Sequence, residues 1–262
     1  MAQGSILSQP LTAWVDHTWL PEEPLLWAPE ARREAVEQLV QQAVALQCAG
    51  VCVRLHDLPL VIDAAPAGAS FARAVVVGFP AQKVVLAAEQ QQPTVGTQPL
   101  EQKMEDIQRA CRAGATELDV VWNTAEFREG LNTGDYHSTR NELNAIMQTV
   151  KAMNPWVGVK LIIETDVWTE EECFKALPVA AELCAQAGVA MVKTCTGYVL
   201  GGRGATQGII RTIRQALDVA HYSQVGIKAS GGIRTREQAE ALLAAGATRL
   251  GMSQTQVLCD PK

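Results

Sequence analysis

Short apolar runs alternate with longer amphipathic stretches along the chain. Eight runs have the length and composition of strands buried on both faces: residues 13–17, 50–54, 74–78, 117–121, 157–163, 190–194, 224–228 and 248–251. Between them, apolar residues recur at helical spacing, as in Val36, Leu39, Val40 and Ala43, or Met104, Ile107 and Cys111, or Leu143, Ile146, Met147 and Val150. A small signature returns at four helix-to-strand junctions: Ala49-Gly50-Val51, Ala113-Gly114-Ala115, Ala187-Gly188-Val189 and Ala245-Gly246-Ala247. Glycine there suits the left-handed residue that ends a helix. Helix starts are marked by Thr139-x-x-Glu142, Thr169-x-x-Glu172 and Thr235-x-x-Gln238, which read as capping boxes. Pro178 is expected to break or restart the helix around 170–187. Residues 83–100, Gln-rich and holding Pro93 and Pro99, read as an extended surface excursion. Eight strands with intervening helices predict a (β/α)8 TIM barrel, and an open doubly wound sheet is the alternative, because alternation alone does not distinguish closure from an open edge.

Composition narrows the class. The 262 residues, 48% of them hydrophobic, fit one domain spanning 1–262. No apolar run approaches the ~20 residues that cross a bilayer, and the opening Met1-Ala-Gln-Gly-Ser lacks a secretory layout. A cytoplasmic protein without a membrane partner is the expectation. The net charge of −6 comes from scattered acids, and the basic residues form no block that would read as a nucleic-acid footprint. Seven cysteines without C-x-x-C pairs read as reduced, buried thiols. Small molecules, or copies of the same chain, are the expected partners.

Ionisable residues inside such strands need explaining, since both faces are buried. Asp16 and His17 end the first run, Asp119 lies in the fourth, Lys160 in the fifth with Glu164 after it, Lys193 in the sixth and Lys228 in the seventh. In a barrel, inward side chains near the strands' carboxyl ends converge on one mouth. Crowded lysines in a desolvated pocket lower the pKa of one from its usual ~10.4, leaving an amine that attacks a carbonyl. A second cation then modulates charge, and the aspartate moves protons at the carbon beside the imine. Such a set describes Schiff-base chemistry. Glycine-rich turns follow the last three strands, at Thr194-Cys-Thr-Gly197, Ala229-Ser-Gly-Gly232 and Gly251-Met-Ser253, where backbone N–H groups suit a phosphate.

Several blocks resemble the deoxyribose-phosphate aldolase family: Val15-Asp-His-Thr18, Val51-Cys-Val53, Val77-Gly-Phe-Pro80, Ala113-Gly-Ala-Thr-Glu-Leu-Asp-Val-Val121, Lys160-Leu-Ile-Ile-Glu164, Val192-Lys-Thr-Cys-Thr-Gly197 and Gly226-Ile-Lys-Ala-Ser-Gly-Gly-Ile-Arg-Thr235. The match spans about residues 13–253. The resemblance implies a class I aldolase that needs no metal or other cofactor. It acts on 2-deoxy-D-ribose 5-phosphate, with D-glyceraldehyde 3-phosphate and acetaldehyde as products, and a homodimer is its usual form. It implies Lys193 as the Schiff-base nucleophile, Lys228 as the residue that depresses the Lys193 pKa, and Asp119 as proton relay through water. It implies Gly197, Gly231, Gly232 and Ser253 as phosphate contacts, with Lys160, Asp16 and Cys52 lining or supporting the pocket.

Some positions depart from the family pattern. Gly251-Met-Ser-Gln254 keeps one serine of a usual pair, and Tyr198 stands where the family carries lysine or an aromatic residue, so a basic phosphate contact is absent there and Arg203 or Arg234 would have to compensate. Arg54-Leu-His-Asp57 stands where an Asn-Pro turn is usual, residues 126–132 read as lengthened, and the tail Asp260-Pro-Lys262 lacks a terminal tyrosine. Two alternative functions therefore stay open: an imine-forming aldolase that prefers a non-phosphorylated or larger aldehyde, and a catalytically silent sugar-phosphate binder. His17 is expected to pair structurally with Asp16, and Glu164 to balance the lysines. His56, His137 and His221 read as surface residues. Cys52 and Cys195 read as packing residues, and the tryptophans at 14, 19, 27, 122, 156 and 168 as core or subunit contacts.

Overall fold

The computed structural model describes residues 9–22, 27–85 and 94–259. Eight parallel strands, β1 (Val15–Thr18), β2 (Gly50–Arg54), β3 (Ala72–Val77), β4 (Glu117–Val121), β5 (Gly158–Ile162), β6 (Met191–Lys193), β7 (Gly226–Ser230) and β8 (Arg249–Met252), pair in chain order. Val15 of β1 lies opposite Leu250 of β8, so the sheet closes and the open-sheet alternative is excluded. Helices α1 (Pro29–Ala45), α2 (Leu58–Ala64), α3 (Leu100–Arg112), α4 (Thr124–Thr133), α5 (His137–Met153), α6 (Glu170–Ala187), α7 (Gln207–Val219) and α8 (Arg236–Ala244) fill the connections. Among the described residues no helix is long and apolar enough to cross a membrane.

Side-chain alternation sorts each strand into an outer and an inner set. The outer set, including Val51, Val53, Val75, Leu118, Val120, Val159, Leu161, Val192, Ile227 and Leu250, is fully or almost fully buried against the helices. Burying each such side chain contributes ~1.5–3 kcal/mol. The inner set stacks in four layers from the N-terminal end: Gly50, Glu117, Met191 and Arg249, then Asp16, Ala74, Lys160 and Lys228, then Cys52, Asp119, Lys193 and Gly251, then Thr18, Val76, Ile162 and Ser230 at the mouth. Barrel interiors are ordinarily filled by branched apolar residues. Here small residues on β2, β3 and β8 leave room for the long cationic side chains of β5, β6 and β7.

Local expectations hold unevenly. Thr169 and Thr235 form capping boxes with Glu172 and Gln238. Thr139 does not: the Asp135 carboxylate accepts the His137 N–H at 2.9 Å and starts α5 earlier. That leaves Thr139 inside the helix, with the Glu142 side chain engaged elsewhere. Pro178 does not break α6; the carbonyl that loses its donor belongs to Phe174, which is 45% exposed. Gly114, Gly188 and Gly246 are left-handed as expected, whereas Gly50 lies in β2 and Gln47 takes the positive φ instead.

The excursion at 83–100 is more than a surface loop. Val84–Val85 pairs with Val199–Leu200 as a two-stranded parallel ribbon, and residues 86–93 lie outside the described residues. Val95 is buried against Val121 and Ile162. Gly96 has φ +69, and a Cβ there would lie 1.8 Å from the Trp122 carbonyl oxygen, so a side chain does not fit. The lengthened stretch 126–132 falls within α4.

A buried ion pair fixes this region. Lys103, on α3 and fully buried, donates to the carbonyls of Gly96 and Val121 and to Glu142 on α5, whose other oxygen accepts the Asn123 N–H at 2.8 Å. Removing the ammonium strands a carboxylate and two carbonyls together. Lys103→Met is expected to cost about 3–5 kcal/mol, read as a lowered urea midpoint at unchanged m-value; a loss below ~1 kcal/mol would show that the site rehydrates freely.

Candidate active site

The inner layers bring the strand lysines onto shared carboxylates. Lys193 and Lys228 are register partners across β6 and β7, and both donate to Oδ2 of Asp119 at 2.8 Å. Lys228 also donates to Asp16. Lys160 lies 2.6 Å from Asp16 Oδ2, 2.5 Å from Glu117 Oε2 and 3.2 Å from Asp119 Oδ1. Arg249 bridges the floor, 2.5 Å from Asp16 Oδ1 and 3.2 Å from Glu117 Oε2. Cys52 Sγ approaches Asp119 Oδ2 at 3.8 Å, and burial pushes its thiol up to about 11, so it is a neutral packing group.

Burial opposes every charge in this set, and the neighbours decide which survive. For Asp119 and Asp16, desolvation is outweighed by the surrounding lysines, and both carboxyls are held below the usual range. Lys160 and Lys228 face the same desolvation, yet Asp119 and Asp16 outweigh it and hold both above the usual lysine value. Loss of a proton is therefore disfavoured at these two. The described network contains four cations, Lys160, Lys193, Lys228 and Arg249, against three carboxylates, Asp16, Glu117 and Asp119. Lys193 has one carboxylate partner where Lys228 has two and Lys160 three.

Above the network opens a cavity of 540 Å³ lined by Lys193, Gly197, Gly231, Gly232, Arg234 and Ser253 among others. Lys160 and Lys228 do not line it; they lie beneath. The N–H groups of Gly197, Gly231 and Gly232 donate to nothing among the described residues, which makes a nest for an anion. Gly231 has φ +90, and a Cβ there would lie 2.6 Å from Cys195 Sγ. Tyr198 donates its hydroxyl to the Leu20 carbonyl and packs edge-on against Phe79, whose ring centre is 5.9 Å from Lys193 Nζ. Arg203 does not reach the nest, because its guanidinium donates to the carbonyls of Thr165 and Trp168. A depression of 570 Å³ at the other end of the barrel, beside Trp156, has Lys151 as its one ionisable lining residue among those described.

Two expectations are corrected. His17 points outward and does not pair with Asp16: its ring hydrogen-bonds Thr255 at 2.8 Å and Gln42 at 3.0 Å, tying β1 to α1. Consecutive strand residues face opposite sides, which is why the two separate. Glu164 forms no ion pair with the lysines, and Lys193 acts on its charge only as the weakest of several influences. Its carboxylate accepts the Thr196 N–H at 3.1 Å and the Thr196 hydroxyl at 2.5 Å, and burial, aided by Asp166, pushes it up to about 7 against those hydrogen bonds. Glu117 and Arg249 were not foreseen, although each lies two residues before an inward position, at Asp119 and Gly251, and so shared their face.

The depressed Asp16 carboxyl ties stability to pH. Folding favours its charged form, so its contribution is present above the unfolded value of ~3.9 and is lost as pH falls below it. Asp16→Asn is expected to cost about 3–5 kcal/mol at pH 7 and to flatten the fall in urea midpoint below about pH 4. A parallel acid limb in wild type and variant would contradict this.

Curated relatives match nearly the whole chain. A deoxyribose-phosphate aldolase of Clostridium perfringens is 32% identical over 97% of this chain and 96% of its own length. One of Thermosynechococcus vestitus is 35% identical over 94% of each. Among solved structures, a putative deoxyribose-phosphate aldolase from Coccidioides immitis superposes with a TM-score of 0.76 at 27% identity, covering 96% of this chain and 86% of that one. The tetrameric deoxyribose phosphate aldolase of Aeropyrum pernix gives 0.67 at 26% identity, covering 95% and 89%. No family model matches the sequence. With relatives above 30% identity along nearly its full length, on a closed barrel of the same form, this chain belongs to the deoxyribose-phosphate aldolase family.

Proposed function

We propose that the protein reversibly cleaves 2-deoxy-D-ribose 5-phosphate to D-glyceraldehyde 3-phosphate and acetaldehyde through a Schiff base on Lys193. The observation that carries this reading is the position of Lys193: of the three strand lysines joined through Asp119, it alone lines the cavity. The relatives' shared name gives the substrate class.

In this reading Lys193 Nζ attacks the C1 aldehyde of the open-chain sugar, and loss of water leaves a protonated imine. Deprotonation of the C3 hydroxyl breaks the C2–C3 bond. The electron pair moves into the C1 imine as an enamine, and glyceraldehyde 3-phosphate leaves. Protonation at C2 and hydrolysis release acetaldehyde and restore the amine. Asp119, held by both Lys193 and Lys228, orients the water that carries protons to and from the reacting centre. Lys228, kept charged by its two aspartates, places a fixed positive charge beside the reacting amine. Lys160 and Asp16 hold Asp119 in place from below, with Cys52 packed beside it.

The phosphate end lies on Gly197, Gly231, Gly232 and Ser253, with Arg234 as the charged lining residue on that side. A homodimer working in the cytoplasm belongs to the same proposal, with a tetramer, as in the Aeropyrum pernix relative, as the outcome that a sedimentation measurement would set against it.

In a coupled assay of deoxyribose 5-phosphate cleavage, Lys193→Ala is expected to lower kcat/KM by at least on the order of 10⁴-fold. Lys228→Met is expected to lower it by about 10²–10⁴-fold. A folded Lys193→Ala retaining activity would overturn the assignment, and inactive wild-type protein would favour the silent-binder reading. Wild-type kcat/KM should also exceed that for unphosphorylated 2-deoxyribose by at least ~10²-fold, because binding at the remote phosphate supports the chemical step. Equal values would point to the shifted-acceptor alternative.

A further inference from the structure

Glu164 makes no ion pair within the lysine network, yet it lies directly behind the phosphate end of the cavity. It follows β5 in a left-handed conformation, φ 52, that a residue with a side chain holds only when its surroundings fix it. It is fully buried. Its two oxygens take both donors of Thr196, the N–H and the hydroxyl, and that hydroxyl in turn accepts the Tyr198 N–H at 3.0 Å. Residues 196–198 are thereby locked from below. Gly197, between the two bonded residues, has φ +75, and its Cα side meets Gly231: a Cβ on Gly197 would lie 3.5 Å from the Gly231 Cα. The carboxylate thus fixes, through Thr196, the half of the nest that packs against Gly231.

We propose that Glu164 is a positioning residue for the anionic end of the substrate, holding the Thr196–Tyr198 turn and taking up a proton when a phosphate dianion occupies the nest. This rests on the aldolase reading given above. The physical reason is like-charge repulsion in a desolvated site: a carboxylate one residue behind the nest and a phosphate in it disfavour each other's charge. The groups facing Glu164 are Asp166 on the turn after β5, Lys193 on β6, the Cys195 thiol and Thr196. Arg203 is turned to the Thr165 and Trp168 carbonyls. Asp166 adds negative charge, Lys193 opposes it, and Cys195 is held neutral by burial. With Glu164 pushed up to about 7, its protonation is balanced near neutral pH, where a phosphate tips it toward the neutral form.

Neutralising Glu164 keeps a hydrogen-bonding group in place, so Glu164→Gln separates charge from geometry, and Glu164→Ala removes both. Inorganic phosphate binding to the full chain is measured by calorimetry in buffers of different ionisation enthalpy, from pH 6 to pH 8. Wild type is expected to take up protons on binding and to lose phosphate affinity about tenfold over that range. The second ionisation of inorganic phosphate also falls within this pH range and contributes to both proteins alike, so the difference between wild type and Glu164→Gln isolates the carboxyl. Glu164→Gln should take up fewer protons and lose less affinity at pH 8. Glu164→Ala should raise KM for deoxyribose 5-phosphate at least tenfold more than KM for 2-deoxyribose. Coincident proton uptake in wild type and Glu164→Gln, no phosphate binding by wild type, or equal losses on both sugars in Glu164→Ala would each overturn the proposal. The calorimetry does not depend on turnover, so failure of the aldolase reading appears separately, as wild-type protein that binds phosphate and cleaves neither sugar.

Discussion

The carboxylate of Asp119 is the constraint on which the interior of this barrel depends. A lone ion at that depth costs several kcal/mol, and here one oxygen accepts from two lysines while a third lysine lies 3.2 Å from the other oxygen. Asp16 and Glu117 continue the pattern downward to Arg249. Each ion is tolerated because of the others, so no member can shift alone without leaving a buried charge unpaired. The small residues opposite, Gly50, Ala74, Cys52 and Gly251, are part of that arrangement. At Gly251 a Cβ would lie 3.1 Å from Lys228 Cε, tight against the amine's own stem.

The result is a graded column of charge. Arg249 and Glu117 lie at the floor, Lys160 and Lys228 are sealed in the middle by two or three carboxylates each, and Lys193 stands at the top with one partner and an open side. Chemically identical side chains thereby acquire different surroundings: Lys193 stands one layer above Lys160 and Lys228, which differ from each other in their carboxylate partners. Around the opening, Phe79 and Tyr198 form an aromatic wall on one side, with Arg54 stacked over both rings. The unpaired glycine N–H groups form the other side. A substrate with an aldehyde at one end and an anion at the other fits that polarity.

Much of this was legible in the sequence because strands buried on both faces read as apolar runs, and an ionisable residue within one stands out. All eight runs became barrel strands, and Lys193, Lys228, Lys160, Asp119 and Asp16 converge as their placement implied. Glu117 and Arg249 escaped notice because a charge at the first residue of a strand looks like a solvated end until closure of the barrel covers it. The ribbon of Val84–Val85 and Val199–Leu200 is too short to carry a period. Thr139 and Glu142 have capping-box spacing, but a distant residue, Lys103, claims the glutamate. Glu164 shows the same limit: its partners lie on the turn after the next strand, and only the folded barrel brings them together.

On the proposed reading, this network presents one lysine, and no other, to a carbonyl. Incubation with acetaldehyde and borohydride, followed by mass spectrometry and peptide mapping, tests it directly, because reduction makes an imine permanent. A single ethyl adduct is expected on the peptide containing Lys193 and none on those containing Lys160 or Lys228; an unmodified folded protein, or an adduct on either sealed lysine, would overturn that assignment.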